Sequence, residues 1–500
     1  MLRKIRIILA TVCFVLVNLL FLGVGWGVTQ HIAWVAQIQF LPALMALNYG
    51  VLVVLIALTL VFGRLYCSVI CPLGVMQDLF AWAGRKSKKN RYGHSPEKKW
   101  LRYGVLAVFV LCLIIGFAPV TTLLAPYSAY GRIVNSMFRP LYDLLINGLA
   151  AVETRFDSYM LPEAEIWMRS VTTFVVALLT LIIPGVLAWR HGRTYCNTVC
   201  PVGTILSFFA RFSLFRIRIN EDKCRKCSLC EKNCKAAAID FKNGTVDLTR
   251  CVVCGDCIDK CHDGAISYTV ELSAVSRQPS DVSRQQSVKE PDSSRRAFLT
   301  GSALAVGTAV MAQAKIKMDG GLAEIEDKQV PHRETPVLPP GSVSARNMNR
   351  HCTACQLCVS ACPNNVLRPS TDPMRFMQPE MSFERGYCRP ECTHCSQVCP
   401  AGAIQPVRPE DKPFVHIGHA VWIAQNCIPV ANGDHCGACA KHCPADAIQM
   451  TDYRTEDGRT VQVPAVDKER CIGCGKCEYV CPARPFSAIY VEGNSTHQVH

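Results

Sequence analysis

Long apolar runs alternate with short polar or basic segments over the first 190 residues. One run extends from Ile7 to about Val28 behind the basic start Met1-Leu-Arg-Lys-Ile-Arg6, and others cover about Leu41 to Phe62, Leu101 to about Leu124, and Val171 to Trp189. A helix needs about 20 apolar residues to cross the hydrocarbon core, so the pattern predicts four transmembrane helices. The first run is too long for a removed secretory signal and lacks a cleavage site, which makes it a retained helix. Between the third and fourth runs, Ala125 to about Met168 is mildly acidic, and Pro140 to Val152 has the pattern of an interfacial amphipathic helix.

Beyond the fourth run the period disappears. Residues 220–270 and 349–492 carry only short apolar pieces between cysteines. Residues 271–293 form a linker rich in Ser, Gln and Arg that cannot bury a core, and 315–348 reads as a second linker with several prolines. Between the linkers, in segment 294–314, Ser293-Ser294-Arg295-Arg296-Ala297-Phe298-Leu299 leads into the apolar run Thr300 to Ala312 and the small-residue end Ala312-Gln313-Ala314. Two arginines, a short hydrophobic segment and small residues form the layout of a twin-arginine export signal, here in mid-chain. An ordinary short membrane anchor is the alternative, and either reading puts the following domain on the far side. The expected fold class is a membrane α-helical domain over 1–215, with four transmembrane helices plus a possible fifth, joined to α+β ferredoxin-like 4Fe-4S domains.

Composition sharpens this picture. Half of the 500 residues are hydrophobic and 18% are charged, so part of the chain belongs in lipid. The net charge of +14 is no argument for nucleic acid, because much of it sits where loops meet apolar runs. The loop after the second run holds Arg64, Arg85, Lys86, Lys88, Lys89, Arg91, Lys98 and Lys99 against Asp78 and Glu97, an excess that retains a loop in the cytoplasm. By this rule 220–270 is expected in the cytoplasm, and the export-like segment puts the C-terminal domain on the far side of the membrane, the periplasm if that membrane is a bacterial inner membrane.

Thirty cysteines require a chemical explanation. Disulfides would suit an oxidising compartment, but runs of four cysteines at short spacing make poor partners for so many bridges. Two copies of C-x2-C-x2-C-x3-C occur in the ferredoxin region: Cys224, Cys227, Cys230, Cys234, then Cys251, Cys254, Cys257, Cys261. Three thiolates at that pitch wrap three corners of an iron-sulfur cube, and the remote fourth cysteine caps the neighbouring cube. One 4Fe-4S cluster is therefore expected on Cys224, Cys227, Cys230 and Cys261, and a second on Cys251, Cys254, Cys257 and Cys234. Structural zinc sites use separated pairs and need no third cysteine at this pitch.

Four more runs follow in the C-terminal domain: Cys352, Cys355, Cys358, Cys362; Cys388, Cys392, Cys395, Cys399; Cys427, Cys436, Cys439, Cys443; and Cys471, Cys474, Cys477, Cys481. They supply four further cubes, six 4Fe-4S clusters in all. The regular, widened, widened, regular order of spacings suggests one ferredoxin unit nested in another. On that reading Cys481 caps the first cluster, Cys362 the fourth, Cys443 the second and Cys399 the third. His351, His394, His435 and His442 lie near these runs as surface or supporting residues.

A different motif repeats after the second and fourth apolar runs: Gly63-Arg64-Leu65-Tyr66-Cys67-Ser-Val-Ile-Cys71-Pro72 and Gly192-Arg193-Thr194-Tyr195-Cys196-Asn-Thr-Val-Cys200-Pro201. The repetition marks a duplicated helix pair. Cysteines four apart share a helix face, so Cys67, Cys71, Cys196 and Cys200 are candidates for dithiol couples or for a shared metal or cluster; simple packing is the alternative. Cys13 and Cys112, alone in apolar runs, read as packing residues.

With these motifs, residues 1 to about 270 resemble the NapH membrane ferredoxin-type family and the membrane domain of the NosR-type regulators. From about 290 onward the chain resembles NapG and the related methylamine-utilisation ferredoxins, as though the two were fused. Cys234 is followed by Lys235 and Cys261 by His262, where bacterial ferredoxins usually have proline. The resemblance implies a membrane quinol dehydrogenase component that draws on the quinone pool and passes electrons to a periplasmic reductase, typically nitrate reductase, or to a cytochrome c. His31 and His191 are candidates for handling quinol protons. A maturation or redox-sensing protein, supplying electrons for assembly of a partner's metal site, is the competing reading. A topology reporter fused after His500 is expected to report the periplasm; a fusion fluorescent in the cytosol overturns this topology.

Overall fold

Two helices set the length of the N-terminal half. Leu2–Leu22 and Val171–His191 each contain 21 residues and are long and apolar enough to cross a membrane. At 1.5 Å per residue each rises about 30 Å. Ser170 caps the second by accepting from the Thr173 amide at 3.3 Å, and Gly192 ends it with a φ of 67°. The computed structural model describes residues 2–86, 92–157, 169–270 and 326–499. The twin-arginine-like segment, the possible fifth span, the polar linker 271–293 and the start of the second linker lie outside them.

The second and third expected spans do not form as single helices. The run from Leu41 splits into Phe40–Met45 and Tyr49–Phe62 at Leu47, whose φ is 53°, and Asn48 starts the second piece by accepting from the Val51 amide at 3.2 Å. A short polar side chain offers the backbone a local partner, and that favours a cap over a continued helix. The third run stops at Gly116, with a φ of 81°, and Pro119 lies in the first turn of the next helix, Ala118–Leu124. This leaves lengths of 14 residues for Tyr49–Phe62 and 17 for Lys99–Ile115. Among the described residues only Leu2–Leu22 and Val171–His191 meet the length and composition of a membrane span. The amphipathic stretch after Ala125 forms the helix Arg139–Glu153.

The two long helices tie both cysteine-rich regions to the helical half. At one end of Leu2–Leu22, Arg3 Nε lies 3.1 Å from Asp256 in the ferredoxin region. At the other end, a Cβ on Gly23 would sit 3.5 Å from the Ser360 carbonyl of the C-terminal domain. Val171–His191 repeats the arrangement. Just before it, Arg169 donates to Asn135, which in turn donates to Gln356; just after it, the Arg193 amide donates to the Lys235 carbonyl at 2.7 Å.

The cysteine-rich regions are built from small antiparallel pairs. In the ferredoxin region Phe215–Ile219 pairs with Ile266–Val270, enclosing the hairpin Ile239–Asp240 with Thr245–Val246. In the C-terminal domain Val415–Trp422 pairs with Ile489–Val499 across a bulge between Gly493 and Gln498, Ile448–Arg454 pairs with Thr460–Val466, and Leu367–Pro369 with Pro379–Met381.

The expected second linker is a packed strap from Lys328 onward. Val337 and Leu338 are buried, the Met381 amide donates to the Val337 carbonyl, and the Gly493 amide donates to that of Thr335. Arg333 donates to both oxygens of buried Glu478, at 2.6 and 2.8 Å, and Glu478 also accepts from the Val491 amide. Prolines suit this segment because an extended strap takes most of its hydrogen bonds from outside the chain it continues. Burial raises the Glu478 carboxyl, and Arg333 opposes that rise. Arg333→Met strands a buried carboxylate at a cost of about 3 kcal/mol, which should appear as a lower midpoint for thermal unfolding of the full chain. Adding Glu478→Gln should recover part of the loss; an unchanged midpoint in the single variant overturns this account of the strap.

Candidate functional site

In the four regular cysteine runs, the residues on either side of the second cysteine adopt left-handed backbone. They are Lys226 and Ser228, Val253 and Gly255, Ala354 and Gln356, and Gly473 and Gly475, with φ between 50° and 77°. For a side chain other than glycine this costs roughly 1–2 kcal/mol, so five or more such positions need a common reason. Backbone amides curled in this way form a concave nest for an anion. The two widened runs show no such flanking pair.

The fourth cysteine of each run receives a backbone amide. Ala238 donates to Cys234 Sγ at 3.4 Å, Ala265 to Cys261 at 3.3 Å, Ile404 to Cys399 at 3.4 Å, Ala447 to Cys443 at 3.3 Å and Ala488 to Cys481 at 3.3 Å. The Val366 amide does the same for Cys362. Such hydrogen bonds favour thiolate over thiol and work against burial, the largest influence on Cys254 and Cys355, whose thiols are raised to about 11. Nested amides and buried thiols suit the anionic sulfur shell of an iron-sulfur cube. Among the described residues no three His, Cys, Asp or Glu side chains converge tightly enough to hold a single ion.

The thiols fall into groups of mutual neighbours. Cys230 faces Cys224 and Cys227, while Cys251, Cys254 and Cys257 face Cys234. In the C-terminal domain Cys352, Cys355 and Cys358 face Cys399, and Cys388 and Cys395 face Cys362 together with Cys392. Cys427 and Cys439 face Cys436 and Cys481, whereas Cys471 and Cys474 face Cys443, with Cys477 beside Cys471 and Cys474.

These neighbours overturn the nested pairing. The first run exchanges its fourth cysteine with the second, and the third with the fourth, so Cys399 joins the first group, Cys362 the second, Cys481 the third and Cys443 the fourth. The reason is local packing. The short helices Leu357–Ala361 and His394–Gln397 pack together, as do Ala438–Lys441 and Lys476–Val480. Consecutive runs thereby deliver their last cysteines to each other, and symmetry of spacing is no guide to contact. The two modules meet where the Cys388 amide donates to the Cys474 carbonyl at 2.9 Å. Lys412, buried there, lies 3.2 Å from Cys388 Sγ.

The repeated motif of the helical half forms a further group. Cys67, Cys71, Cys196 and Cys200 are buried in one core, and each of Cys71, Cys196 and Cys200 interacts electrostatically with others of the four. The two arginines of the motif exchange places. Arg64 lies 3.8 Å from Cys67 Sγ and donates to the Cys196 carbonyl at 3.3 Å and to Asn197 at 2.8 Å; Arg193 donates to the Cys67 carbonyl and, at 2.7 Å, to Asp78. Gln77 Oε1 accepts from Cys196 Sγ at 3.4 Å. Each motif ends in a required glycine: a Cβ on Gly74 would lie 2.2 Å from the Cys67 carbonyl, and one on Gly203 would lie 2.4 Å from that of Cys196.

From the linear chain Arg64 counts only among the basic residues of its loop, Arg193 carries no role, and nothing marks Gln77 or Lys412. The signal for the arginines was their repetition at the same offset in both motifs. His31 and His191 are exposed, and His435 and His442 likewise. His351 Nδ1 lies 2.8 Å from the Met45 carbonyl, and His394 stacks on Trp26 with ring centroids 3.5 Å apart. Cys13 and Cys112 are half-buried and belong to none of these groups.

One core connects the groups from end to end. It contains Ala236, Val252 and Cys254 of the ferredoxin region, the four motif thiols, and Cys355, Leu357 and Val398 of the C-terminal domain. Tyr127, fully buried, interacts with Tyr66 on one side and with Cys355 and Cys399 on the other. Buried Arg132 lies between Tyr195 and Cys355, donating to the Thr122 carbonyl at 2.9 Å. At Gly131 the helix backbone approaches the Cys355 carbonyl so closely that a Cβ would stand 2.5 Å from it.

Comparison with known proteins agrees with the cysteine chemistry. A family of 4Fe-4S binding domains matches residues 44–90 and 172–220, across both Cys-x3-Cys-Pro motifs, and a family of 4Fe-4S dicluster domains matches 351–403 and 434–484, one per tandem module. The methylamine utilization ferredoxin-type protein MauM of Methylophilus methylotrophus is 34% identical over 158 residues, 30% of this chain and 69% of that protein. The ferredoxin-type protein NapG of Escherichia coli is 29% identical over 210 residues, 38% of this chain and 83% of that protein. The ferredoxin-type protein NapH of the same organism is 24% identical over 246 residues, 47% of this chain and 71% of that protein. No solved structure matches. Together the nested thiols and these relatives identify an iron-sulfur electron-transfer protein, and the chain belongs to the NapG/NapH-like ferredoxin-type proteins related to MauM.

Proposed function

We propose that this protein is a fused NapH-like and NapG-like quinol-oxidising subunit that carries electrons across a bacterial inner membrane to a periplasmic reductase, such as nitrate reductase, or to a cytochrome c. The observation that carries this reading is the single buried core joining Cys254, the four motif thiols and Cys355. The ferredoxin region would lie on the cytoplasmic side and the C-terminal domain on the periplasmic side. Across roughly 30 Å of hydrocarbon, a wire needs an intermediate stop, and the four motif thiols lie between the two ends. Tyr49–Phe62 and Lys99–Ile115, both packed against the helix Pro201–Ala210, would be shorter membrane elements.

The candidate ligand sets follow the observed neighbours for Cys251, Cys254, Cys257 with Cys234, for Cys352, Cys355, Cys358 with Cys399, and for the three further tandem sets, while the motif assigns Cys261 to Cys224, Cys227 and Cys230. Cys67, Cys71, Cys196 and Cys200 would hold a seventh. Iron-sulfur cubes at these thiols supply one-electron chemistry, which divides a two-electron donor into single steps. Arg64 and Arg193 provide positive charge beside the central thiols, and Tyr127 and Arg132 fill the space towards Cys355 and exclude water. The maturation alternative requires dithiols that a partner can reach. Cys67, Cys71, Cys196 and Cys200 are only 4%, 5%, 4% and 4% exposed, which favours electron transfer.

Electron paramagnetic resonance of membranes titrated with quinol tests donor and centres together. The clusters of the full chain should be reduced by quinol; clusters that respond to dithionite but never to quinol overturn the proposed donor. Cys196→Ser should lower bound iron by one cluster and stop quinol-driven reduction of the C-terminal centres, whereas unchanged iron content removes the seventh centre. Cys399→Ser should remove the signal of the Cys352, Cys355 and Cys358 centre; loss of the Cys427 centre in its place would restore the nested arrangement.

A further inference from the structure

A cavity of about 310 Å³ opens between the helices Leu2–Leu22 and Pro72–Lys86, at the ferredoxin end of the helical half. Its outer wall is apolar, formed by Ile7, Leu79 and Trp82, which are 41%, 58% and 54% exposed and present this mouth towards lipid on the proposed topology. Its floor is polar. Asp78 is held there by Arg6 at 2.7 Å, Arg193 at 2.7 Å and Lys235 at 2.9 Å, and Lys235 also reaches Asp256 at 3.4 Å. Burial alone would raise the Asp78 carboxyl, but Arg193, Lys235 and Arg6 hold it well below the usual carboxylate range.

We propose that this cavity binds the ring of a membrane quinol, with its tail leaving between Ile7 and Leu79 into the lipid. The proposal rests on the quinol-oxidising reading above and gives it a site. Four features support a neutral aromatic head over an anionic one. The cations of the floor are already paired with Asp78 and Asp256, and those two carboxylates repel a phosphate. The floor sets the Arg6 guanidinium beside the Asp78 carboxylate, a donor and an acceptor for the two ring hydroxyls. Trp82 offers an aromatic face at the mouth, and the volume falls within the size of small-molecule sites, which start at about 300 Å³.

The cavity also lies beside two thiol groups. Asp78 follows Gln77, which meets Cys196 Sγ, and Arg193 links Asp78 to the Cys67 carbonyl. On the other side Lys235 and Asp256 both interact with Cys254. Iron-sulfur centres held on those thiols would accept the two electrons of a quinol bound here, one at a time, leaving a quinone, and its two protons would leave to water past the polar floor on the ferredoxin side. His31 and His191 line no part of this cavity.

The test uses the full-length protein in nanodiscs with menadiol as donor, following the bleaching of iron-sulfur absorbance. Leu79→Trp, at an exposed position that a larger side chain does not unfold, and Trp82→Ala should each raise the menadiol KM by about tenfold, a loss of roughly 1.4 kcal/mol in binding. Iron content and reduction by dithionite should match the unmodified protein. Menadiol oxidation that is indifferent to both substitutions overturns the site and leaves the proposed function standing. No oxidation of menadiol by the unmodified protein overturns the proposed function, and this site with it. Activity restored in Leu79→Trp by added anionic phospholipid, without competition from menadione, assigns the cavity to a lipid headgroup and overturns the quinol.

Discussion

The rest of the structure depends on the fixed rise of two helices, each pinned at both ends. Leu2–Leu22 runs from Arg3, against Asp256, to Gly23, against Ser360, and Val171–His191 is held at Arg169 and at the Arg193 amide. A helix cannot shorten without losing backbone hydrogen bonds, so the two cysteine-rich ends stay about 30 Å apart. That separation explains why the Cys-x3-Cys-Pro thiols lie deep in the core between the ends, and why aromatic and arginine side chains fill the space around them. Tyr66, Tyr127 and Tyr130 are nearly inaccessible to solvent, as are Arg64, Arg132 and Arg193.

Burying arginines is costly unless negative charge accompanies them. In the helical half one source of that charge is Asp78, which holds Arg6, Arg193 and Lys235 together. The other is sulfur. Arg64 approaches Cys67 Sγ, and Arg132 lies within the field of Cys355 while its Nε and Nη2 have no hydrogen-bond partner. Thiolates holding a cluster would supply the anions that such an interior requires. The same logic recurs at Lys412, a buried ammonium beside Cys388 at the junction of the tandem modules.

The cysteine loops show the complementary cost. Left-handed backbone at Lys226, Ser228, Val253, Ala354 and Gln356 strains each loop so that its amides turn inward, and a central anion would offset the strain. Gly255, Gly473 and Gly475 take the same conformation without penalty, which makes the glycines beside Cys254 and Cys474 the visible trace of a geometry that other runs adopt with larger residues.

Chemistry was legible in the linear chain because ligand type and pitch are local properties: C-x2-C-x2-C-x3-C places three thiols around one centre whatever surrounds it. The duplicated Gly-Arg-x-Tyr-Cys-x3-Cys-Pro motif, the apolar runs that became Leu2–Leu22 and Val171–His191, and the facing of Cys234 towards the second ferredoxin triplet were read from the same kind of local pattern. Which distant run supplies a fourth cysteine is a matter of tertiary packing. Short helices meet their neighbours along the chain, and Cys399 went to the first group and Cys481 to the third. The breaks at Leu47 and Gly116 depended on caps that a hydropathy window averages away, and the strap at Arg333 depended on a carboxylate 145 residues further along. The meeting of four motif thiols in one core, with Arg64 and Arg193 crossed over them, needed two halves of a repeat to face each other, and no single stretch of chain carries that information.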